Sequence, residues 1–387
     1  MTVGSSRQTN WQPEFEEIRC YRNHEINTVL NRLSEDDDFI GVLNTLLHPG
    51  SETEEKHSRS QVCQAVAPEL KVLRQINSVE SLQSWIAERI FPIIAQSYEG
   101  LSVTGYENLN ASDAYIFVSN HRDIVMDPLL LNKVLLSMGA PTANCAIGDN
   151  LLKNKVANDL ARLNRCFKVI RSIKSPKAIL KAMKVQSAYI QRLHFTEREN
   201  IWIAQKEGRS KDNRDKTNPA LIKMLSLAKG KDVAAGQFLN TLNIVPVSFS
   251  YEWDPCDIDK ARELEAQSES ASYTKDRLDD LIAINKGLTG FNGKIGIHFG
   301  KTIVVEEEDR LAHKQVANKI DASIQQNYSV YPVNFAAYKK LNRVLPESCS
   351  FDKQALNAAQ KQLEQRIENE PDEIKKRVLM AYAAPLG

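Results

Sequence analysis

The chain has 387 residues, which is longer than one typical domain and enough to bury a sizeable core. Hydrophobic residues make up 42% and charged residues 26%, an ordinary globular balance that excludes a fibrous, collagenous or wholly disordered protein. The six cysteines are scattered without a Cys-x-x-Cys pair, so we expect a reducing compartment.

Two features of the sequence indicate how the protein could contact a membrane. The first ten residues lack the apolar core of a signal peptide. The longest uncharged stretch, 233–251, is interrupted by glycine, proline and amide side chains, whereas a spanning helix needs roughly 20 apolar residues. We therefore expect a cytoplasmic protein whose contact with the membrane is peripheral, at the cytoplasmic face.

The net charge of +1 is unevenly distributed. Residues 151–231 contain 20 Lys and Arg against 6 Asp and Glu, a local +14, which leaves −13 for the rest of the chain. Such a segment is typical of the solvated face of a long helix, or of a surface that meets acidic lipid, a phosphorylated substrate or nucleic acid. Nucleic acid ranks last because no aromatic residues alternate with the basic ones as base stacking requires.

The predicted elements divide the chain into an N-terminal helical region (1–76), an α/β domain (77–345) and a C-terminal helical extension (346–387). An apolar stripe at helical spacing follows Ser78, a favourable N-cap. Strands are predicted at Leu101–Tyr106, Tyr115–Val118, Phe167–Ile170, Ile201–Ala204, Ile244–Phe249 and Gly293–Ile303. Helices are predicted at Asp127–Met138, Leu151–Leu163, Pro176–Leu193, Asp309–Tyr328, Val333–Leu345 and within Phe351–Pro385. This alternation predicts an α/β fold with a mixed, mostly parallel sheet covered by helices.

A polar segment follows the second predicted strand. The apolar residues 115–118 run into Ser119-Asn120-His121-Arg122-Asp123, and Asp127-Pro128 then begins a helix. A histidine at the end of a buried strand is placed as a site residue would be. A lone histidine is equally consistent with a structural role, and an aspartate before proline is a common helix cap.

Four short segments in order resemble the blocks of the glycerol-phosphate acyltransferase family, over roughly residues 101–303. The family blocks are His-x4-Asp, a strand ending in arginine, Glu-Gly-Thr-Arg and a strand carrying proline. The corresponding segments are His121 to Asp127, Phe167 to Arg171, Glu207-Gly208-Arg209-Ser210 and Ile244 to Ser248. The first is one residue longer than the family pattern, and the third lacks the threonine.

The resemblance implies a glycerolipid-acyltransferase fold and a role in phospholipid biosynthesis. The implied reaction moves a fatty acyl group from acyl-CoA or acyl-carrier protein to a hydroxyl of a glycerol-3-phosphate or lysophosphatidate-type acceptor. His121 would be the general base, because neutral imidazole is well matched to taking a hydroxyl proton near pH 7. A carboxylate on the other ring nitrogen would fix the tautomer. The candidates are Asp127 and Asp123, and we favour Asp127 because it keeps the family's position before the helix.

The resemblance also implies an acceptor-phosphate site. Arg171 and Arg209 would bind the phosphate, since a guanidinium matches it bidentately, and Glu207-Gly208 would form a tight turn beside them. The dispersed histidines lack metal-ligand spacing, so we expect no metal and no cofactor beyond the thioester substrate. The expected partners are the thioester donor, the phosphorylated acceptor and an anionic membrane surface. The alternatives are a catalytically altered lipid-binding protein on the same fold and a different lipid acceptor.

Overall fold

The computed structural model describes residues 12–48, 59–173, 175–269, 277–347 and 349–387. Within these ranges seven strands form one sheet, in the order β1-β7-β6-β2-β5-β3-β4. The strands are β1 (Gly100–Thr104), β2 (Ile116–Ser119), β3 (Asn144–Gly148), β4 (Cys166–Val169), β5 (Ile201–Ala204), β6 (Ile244–Tyr251) and β7 (Lys294–Phe299).

The strands fall into two groups by direction. β6, β2, β5, β3 and β4 run parallel to one another, whereas β7 runs antiparallel to β6 and parallel to β1. The predicted mixed, mostly parallel sheet is therefore confirmed. The carboxyl ends of the five parallel strands share one edge of the sheet, so segments that follow them in the chain lie near one another in space.

Helices cover both faces of the sheet. Alternate strand residues enter opposite cores, since Ile116 and Val118 pack on one side and Phe117 on the other. The helices of the described ranges are α1 (Asn23–Leu33), α2 (Asp37–Leu47), α3 (Arg59–Leu73), α4 (Val79–Ile94), α5 (Met126–Ser137), α6 (Lys155–Leu163), α7 (Pro176–Gln191), α8 (Pro219–Leu225), α9 (Ala235–Asn240), α10 (Asp257–Glu269), α11 (Arg277–Thr289), α12 (Ala312–Gln326), α13 (Pro332–Lys340), α14 (Lys353–Ile367) and α15 (Asp372–Ala383). The first core is closed by α7, α8, α9 and α12, and the second by α4 and α5.

The two ends of the chain add further helical cores. Helices α1 to α3 pack with Val156 and Leu163 of α6, and helices α13 to α15 pack with Trp253, which follows β6. The division into regions at residues 76 and 345 stays a prediction, and residues 1–11 and 49–58 of the first region lie outside the described residues. Every helix in the described ranges is too short or too polar to span a bilayer.

The clearest errors of the sequence reading concern β3 and the start of α6. The strand Asn144–Gly148 was not predicted, because it has only one β-branched residue, Ile147, and is defined by pairing with β4 and β5. The helix expected from residue 151 begins at Lys155, because the Asn154 side chain accepts two backbone N–H groups and caps it there. The predicted site residues still lie at the carboxyl edge of the parallel strands, because neither difference involves the strands that they follow.

A buried ion network joins the C-terminal helices to the turn after β2. Lys260 of α10 donates from Nζ to Asp254 Oδ2 (2.5 Å) and to the backbone oxygen of Arg122 (2.7 Å). The Arg122 guanidinium donates to the same Asp254 oxygen at 3.2 Å. Arg366 of α14 donates to the Asp254 carbonyl at 2.9 Å, and the Tyr382 hydroxyl of α15 accepts from the Asp254 N–H at 3.0 Å. Burial alone would raise the pKa of Asp254, but the two cations lower it to about 2.

We expect Asp254→Asn to lower the free energy of unfolding at pH 7 by about 3–5 kcal/mol, because Lys260 and Arg122 would stay buried without a counter-charge. A carboxyl with a lowered pKa stabilises the fold above its unfolded value of 3.8 and loses this contribution as the pH falls toward 2. The difference between parent and variant should therefore narrow below pH 4. Urea unfolding at several pH values measures both effects. Asp113→Asn, at an exposed pair with Arg198, should change stability by less than about 0.5 kcal/mol. Equal losses in the two variants would contradict the network's contribution.

We also expect Gly105→Ala to destabilise the fold more than Gly139→Ala does. Both glycines have positive φ, 77° and 73°, so each alanine carries a backbone cost of roughly 1–2 kcal/mol. A Cβ on Gly105 would lie 2.0 Å from the Phe299 carbonyl oxygen, whereas a Cβ on Gly139 meets nothing within 4 Å. The clash should add about 1–3 kcal/mol at Gly105 only. Thermal unfolding midpoints provide the comparison, and matching midpoints would show that the close approach of β1 and β7 is not required.

Candidate active site

The predicted site residues gather at the carboxyl edge of the parallel strands. His121 follows β2, Arg171 follows β4 and Arg209 follows β5, while Gly148 ends β3. In open α/β sheets this edge is where ligands usually bind. The sheet topology therefore brings together residues that are far apart in the sequence.

His121 is hydrogen-bonded to Asp127. Its Nδ1 lies 2.9 Å from Asp127 Oδ2, and Asp127 is completely buried while the His121 side chain stays 16% exposed. Nδ1 is therefore engaged by the carboxylate, and Nε2 is the ring nitrogen that remains open. Among the described residues Nε2 has no hydrogen-bond partner. The imidazole is thus oriented and accessible to a substrate, as a general base must be.

Three more donors hold the Asp127 carboxylate. The backbone N–H groups of Arg122 and Asp123 donate to Oδ2 at 2.6 and 3.0 Å, and the Tyr251 hydroxyl donates to Oδ1 at 2.8 Å. A buried carboxylate is costly unless it is paired in this way. Tyr251 ends β6, 124 residues from Asp127, and no local pattern in the sequence connects them.

Asp123 has a different role. Its Oδ1 accepts the backbone N–H groups of Val125 and Met126, both at 2.9 Å, and so caps the first turn of α5. Burial, together with the charge of nearby Asp127, raises the pKa of the Asp123 carboxyl. The geometry pairs the imidazole with Asp127 and uses Asp123 to shape the turn between them.

Trp202 is a site residue that sequence reasoning missed. Its ring packs edge-on against the His121 imidazole, with centroids 5.4 Å apart and planes at 71°. The indole Nε1 donates to Ser119 Oγ at 2.9 Å, which fixes the ring at the end of β2. In the sequence Trp202 is indistinguishable from an ordinary core residue of β5.

The segment after β5 lies against the histidine turn. The Ser210 N–H donates to the His121 carbonyl at 2.6 Å, and Gly208 has a φ of 79°, the left-handed conformation that favours glycine. Arg209 Nη1 is buried without a hydrogen-bond partner in the described structure. Burial acts to lower the pKa of Arg209, but surrounding negative groups, including Asp123 and Asp254, raise it overall. A charged guanidinium with a buried unused donor is a fitting site for an anionic substrate group.

Arg171 lies beside the same segment. Its Nη1 is 3.2 Å from Glu207 Oε1, so Glu207 contacts the guanidinium and orients it. A Cβ on Gly148 would lie 3.1 Å from the same Arg171 nitrogen, so the lack of a side chain there makes room for the arginine. Both predicted arginines therefore lie at the sheet edge that carries His121.

The described residues contain no group of three or more His, Cys, Asp or Glu side chains that could hold a metal ion. The chemistry of the edge described above consists of the His121 imidazole, the carboxylates of Asp123, Asp127 and Glu207, each with its own partners, and the guanidinium groups of Arg171 and Arg209.

Comparison with known proteins agrees with this chemistry. Residues 100–250 match the protein-family model described as Acyltransferase. One solved structure that matches is the 1-acyl-sn-glycerophosphate (LPA) acyltransferase PlsC from Thermotoga maritima, at 14% identity and a TM-score of 0.34, covering 78% of this chain and 95% of that one. At this TM-score the likeness by itself assigns nothing to the chain. No curated protein matches the sequence. The segment that matches the acyltransferase family model contains His121, Asp127, Arg171 and Arg209.

Proposed function

We propose that this acyltransferase moves a fatty acyl group from a thioester to a hydroxyl of a phosphate-bearing glycerol or lysolipid acceptor, with His121 as general base. The observation that carries the proposal is the His121–Asp127 pair, in which a fully buried carboxylate holds Nδ1 and leaves Nε2 free. This is the arrangement of a catalytic triad without a nucleophilic side chain from the protein.

The proposed reaction has two steps at the acyl carbon. Nε2 takes the proton of the acceptor hydroxyl as its oxygen attacks the thioester carbonyl, which gives a tetrahedral oxyanion. The carbon–sulfur bond then breaks, and the imidazolium returns the proton to the leaving thiolate. Asp127 stabilises the imidazolium through both stages. General-base assistance of this kind contributes on the order of 10²–10⁴-fold.

The oxyanion needs donors other than the amides at the start of α5. The N–H groups of Arg122 and Asp123 already donate to Asp127, and those of Val125 and Met126 donate to Asp123. The turn amides thus serve to orient the base.

We propose that Arg209 binds the acceptor phosphate and that Arg171 assists it. Arg209 has the buried, unused Nη1 donor, and its segment is fixed to the His121 carbonyl through Ser210. Arg171 is held by Glu207, which would share the guanidinium with the phosphate. Phosphate held here would present a neighbouring glycerol hydroxyl toward Nε2, because both groups lie at the same edge of the sheet.

On the basis of the same chemistry we also propose the acyl donor, the cellular location of the enzyme and its pathway. Acyl-CoA and acyl-carrier protein both supply the required thioester, and the reaction needs no cofactor beyond it. An acceptor that carries an acyl chain is delivered from a membrane, so we place the enzyme at the cytoplasmic membrane face in phospholipid synthesis.

We expect His121→Ala to lower kcat by at least about 10²-fold, because no other side chain would take the hydroxyl proton. Asp127→Asn should cost a comparable factor, since an amide does not stabilise the imidazolium. Asp123→Asn keeps the cap oxygen and should lose less than about tenfold. Thiol release from acyl-CoA with a panel of glycerol-phosphate and lysolipid acceptors measures all three. Parental turnover in His121→Ala would refute the proposed base, and a greater loss in Asp123→Asn than in Asp127→Asn would reverse the assignment of the partner.

We expect Arg209→Ala and Arg171→Ala to raise the acceptor KM more than they lower kcat, with the larger effect at Arg209, whose buried donor has no protein partner. Arg198→Ala is the matched control, because Arg198 is exposed and precedes the amino end of β5, at the opposite edge of the sheet. Steady-state kinetics over a range of acceptor concentrations separates the two constants. An unchanged acceptor KM in both site variants would exclude the phosphate assignment.

A further inference from the structure

The first half of α7 exposes an unusual set of side chains. Lys177, Lys181 and Lys184 are exposed and, at spacings of four and three residues, share one face of the helix. Leu180, three residues after Lys177, lies on the same face and is 47% exposed. None of the three lysines has a hydrogen bond or ion pair with the described residues. A helix face of this composition is typical of proteins that lie in a membrane interface.

Two further lysines lie in the segment after β3, which is hydrogen-bonded to the segment that leads into α7. Lys153 and Lys155, both exposed and without partners among the described residues, follow β3 in the chain. The Asp149 carboxylate accepts from the backbone N–H and the hydroxyl of Ser172, at 3.2 and 2.7 Å. These bonds hold the segment after β3 against the segment after β4, from which α7 begins. We name Lys177, Lys181, Lys184 and Leu180 the α7 surface, to which Lys153 and Lys155 add unpaired positive charge in the segment bonded to the one that precedes α7.

We propose that the α7 surface docks the protein on an anionic lipid bilayer. Charge complementarity supports this occupant, since each lysine near an anionic membrane surface is attracted to it. Exposed Leu180 supplies an apolar contact with the headgroup boundary, and the lysine stems extend toward the lipid phosphates. The surface begins at the sheet edge that carries Arg171 and His121. Its significance for acceptor delivery rests on the proposed function, whereas the binding itself does not.

The first test is sedimentation of the full chain with vesicles of phosphatidylcholine, alone or mixed with phosphatidylglycerol. We expect binding to the mixed vesicles to be at least about tenfold stronger, and to weaken as salt is raised. The combined change Lys177→Gln, Lys181→Gln and Lys184→Gln should reduce binding to mixed vesicles by at least about tenfold. The matched control changes three exposed lysines of α14 and α15 in the same way and should stay within about twofold of the parent. The control lysines are Lys353, Lys361 and Lys376.

The apolar part has its own test. Leu180→Ser should also weaken vesicle binding, whereas Leu311→Ser, at a residue 62% exposed elsewhere, should not. Parental binding by the triple lysine variant, or an equal loss in the lysine control, would overturn the proposal. It would also fail if the triple variant kept vesicle binding but raised the KM for an acyl-carrier-protein donor, because the surface would then serve an acidic protein.

The result of the vesicle-binding test can be distinguished from a test of the proposed acyl transfer. Turnover of the triple lysine variant with water-soluble glycerol 3-phosphate should stay within about twofold of the parent, since none of these lysines belongs to the proposed catalytic group. Loss of vesicle docking with intact transfer would concern the α7 surface alone. Intact docking with parental turnover in His121→Ala would refute only the proposed base.

Discussion

The buried carboxylate of Asp127 is the constraint on which the site depends. A charge with no exposure to solvent must be paired, and four donors from two parts of the chain, residues 121–123 and Tyr251, converge on it. The amides of the turn hold Oδ2 beside His121, and Tyr251 bonds Oδ1 to the end of β6. The orientation of the imidazole therefore depends on this held carboxylate, together with the edge-on contact of Trp202.

The longer spacing between His121 and Asp127 has a physical explanation in the same turn. The Asp123 carboxylate accepts two backbone N–H groups, and α5 begins at Met126. The additional residue therefore lies within this capped turn. Asp127 then lies in the first turn of the helix, where side chains lean back toward the N-terminus and anions are favoured. Its carboxylate therefore reaches the amides before the helix and the imidazole beyond them. The departure from the family pattern changes the turn and leaves the pairing in place.

The sequence predicted the features that have local signals, and these were sufficient to find the site edge. Short apolar runs marked β2, β5 and β6, and the polar residues that follow β2 and β5 proved to lie together because parallel strands end at one edge. The choice between Asp127 and Asp123 needed coordinates, since both lie within one turn of chain. Trp202, Tyr251 and the Asp254 network were missed, because their roles arise from contacts between residues about 80 or more positions apart, apart from the Lys260 contact with Asp254 itself.

Some basic side chains in residues 151–231 have acidic partners within the fold, and others do not. Part of it is neutralised within the fold, as Lys206 binds Asp215 at 2.6 Å and Lys211 binds Glu263 at 2.9 Å. The lysines of the α7 surface have no such partners among the described residues, so their field extends into solvent. Salt screens exposed charges beyond about 8 Å at physiological ionic strength, so these lysines act on a bilayer that touches them.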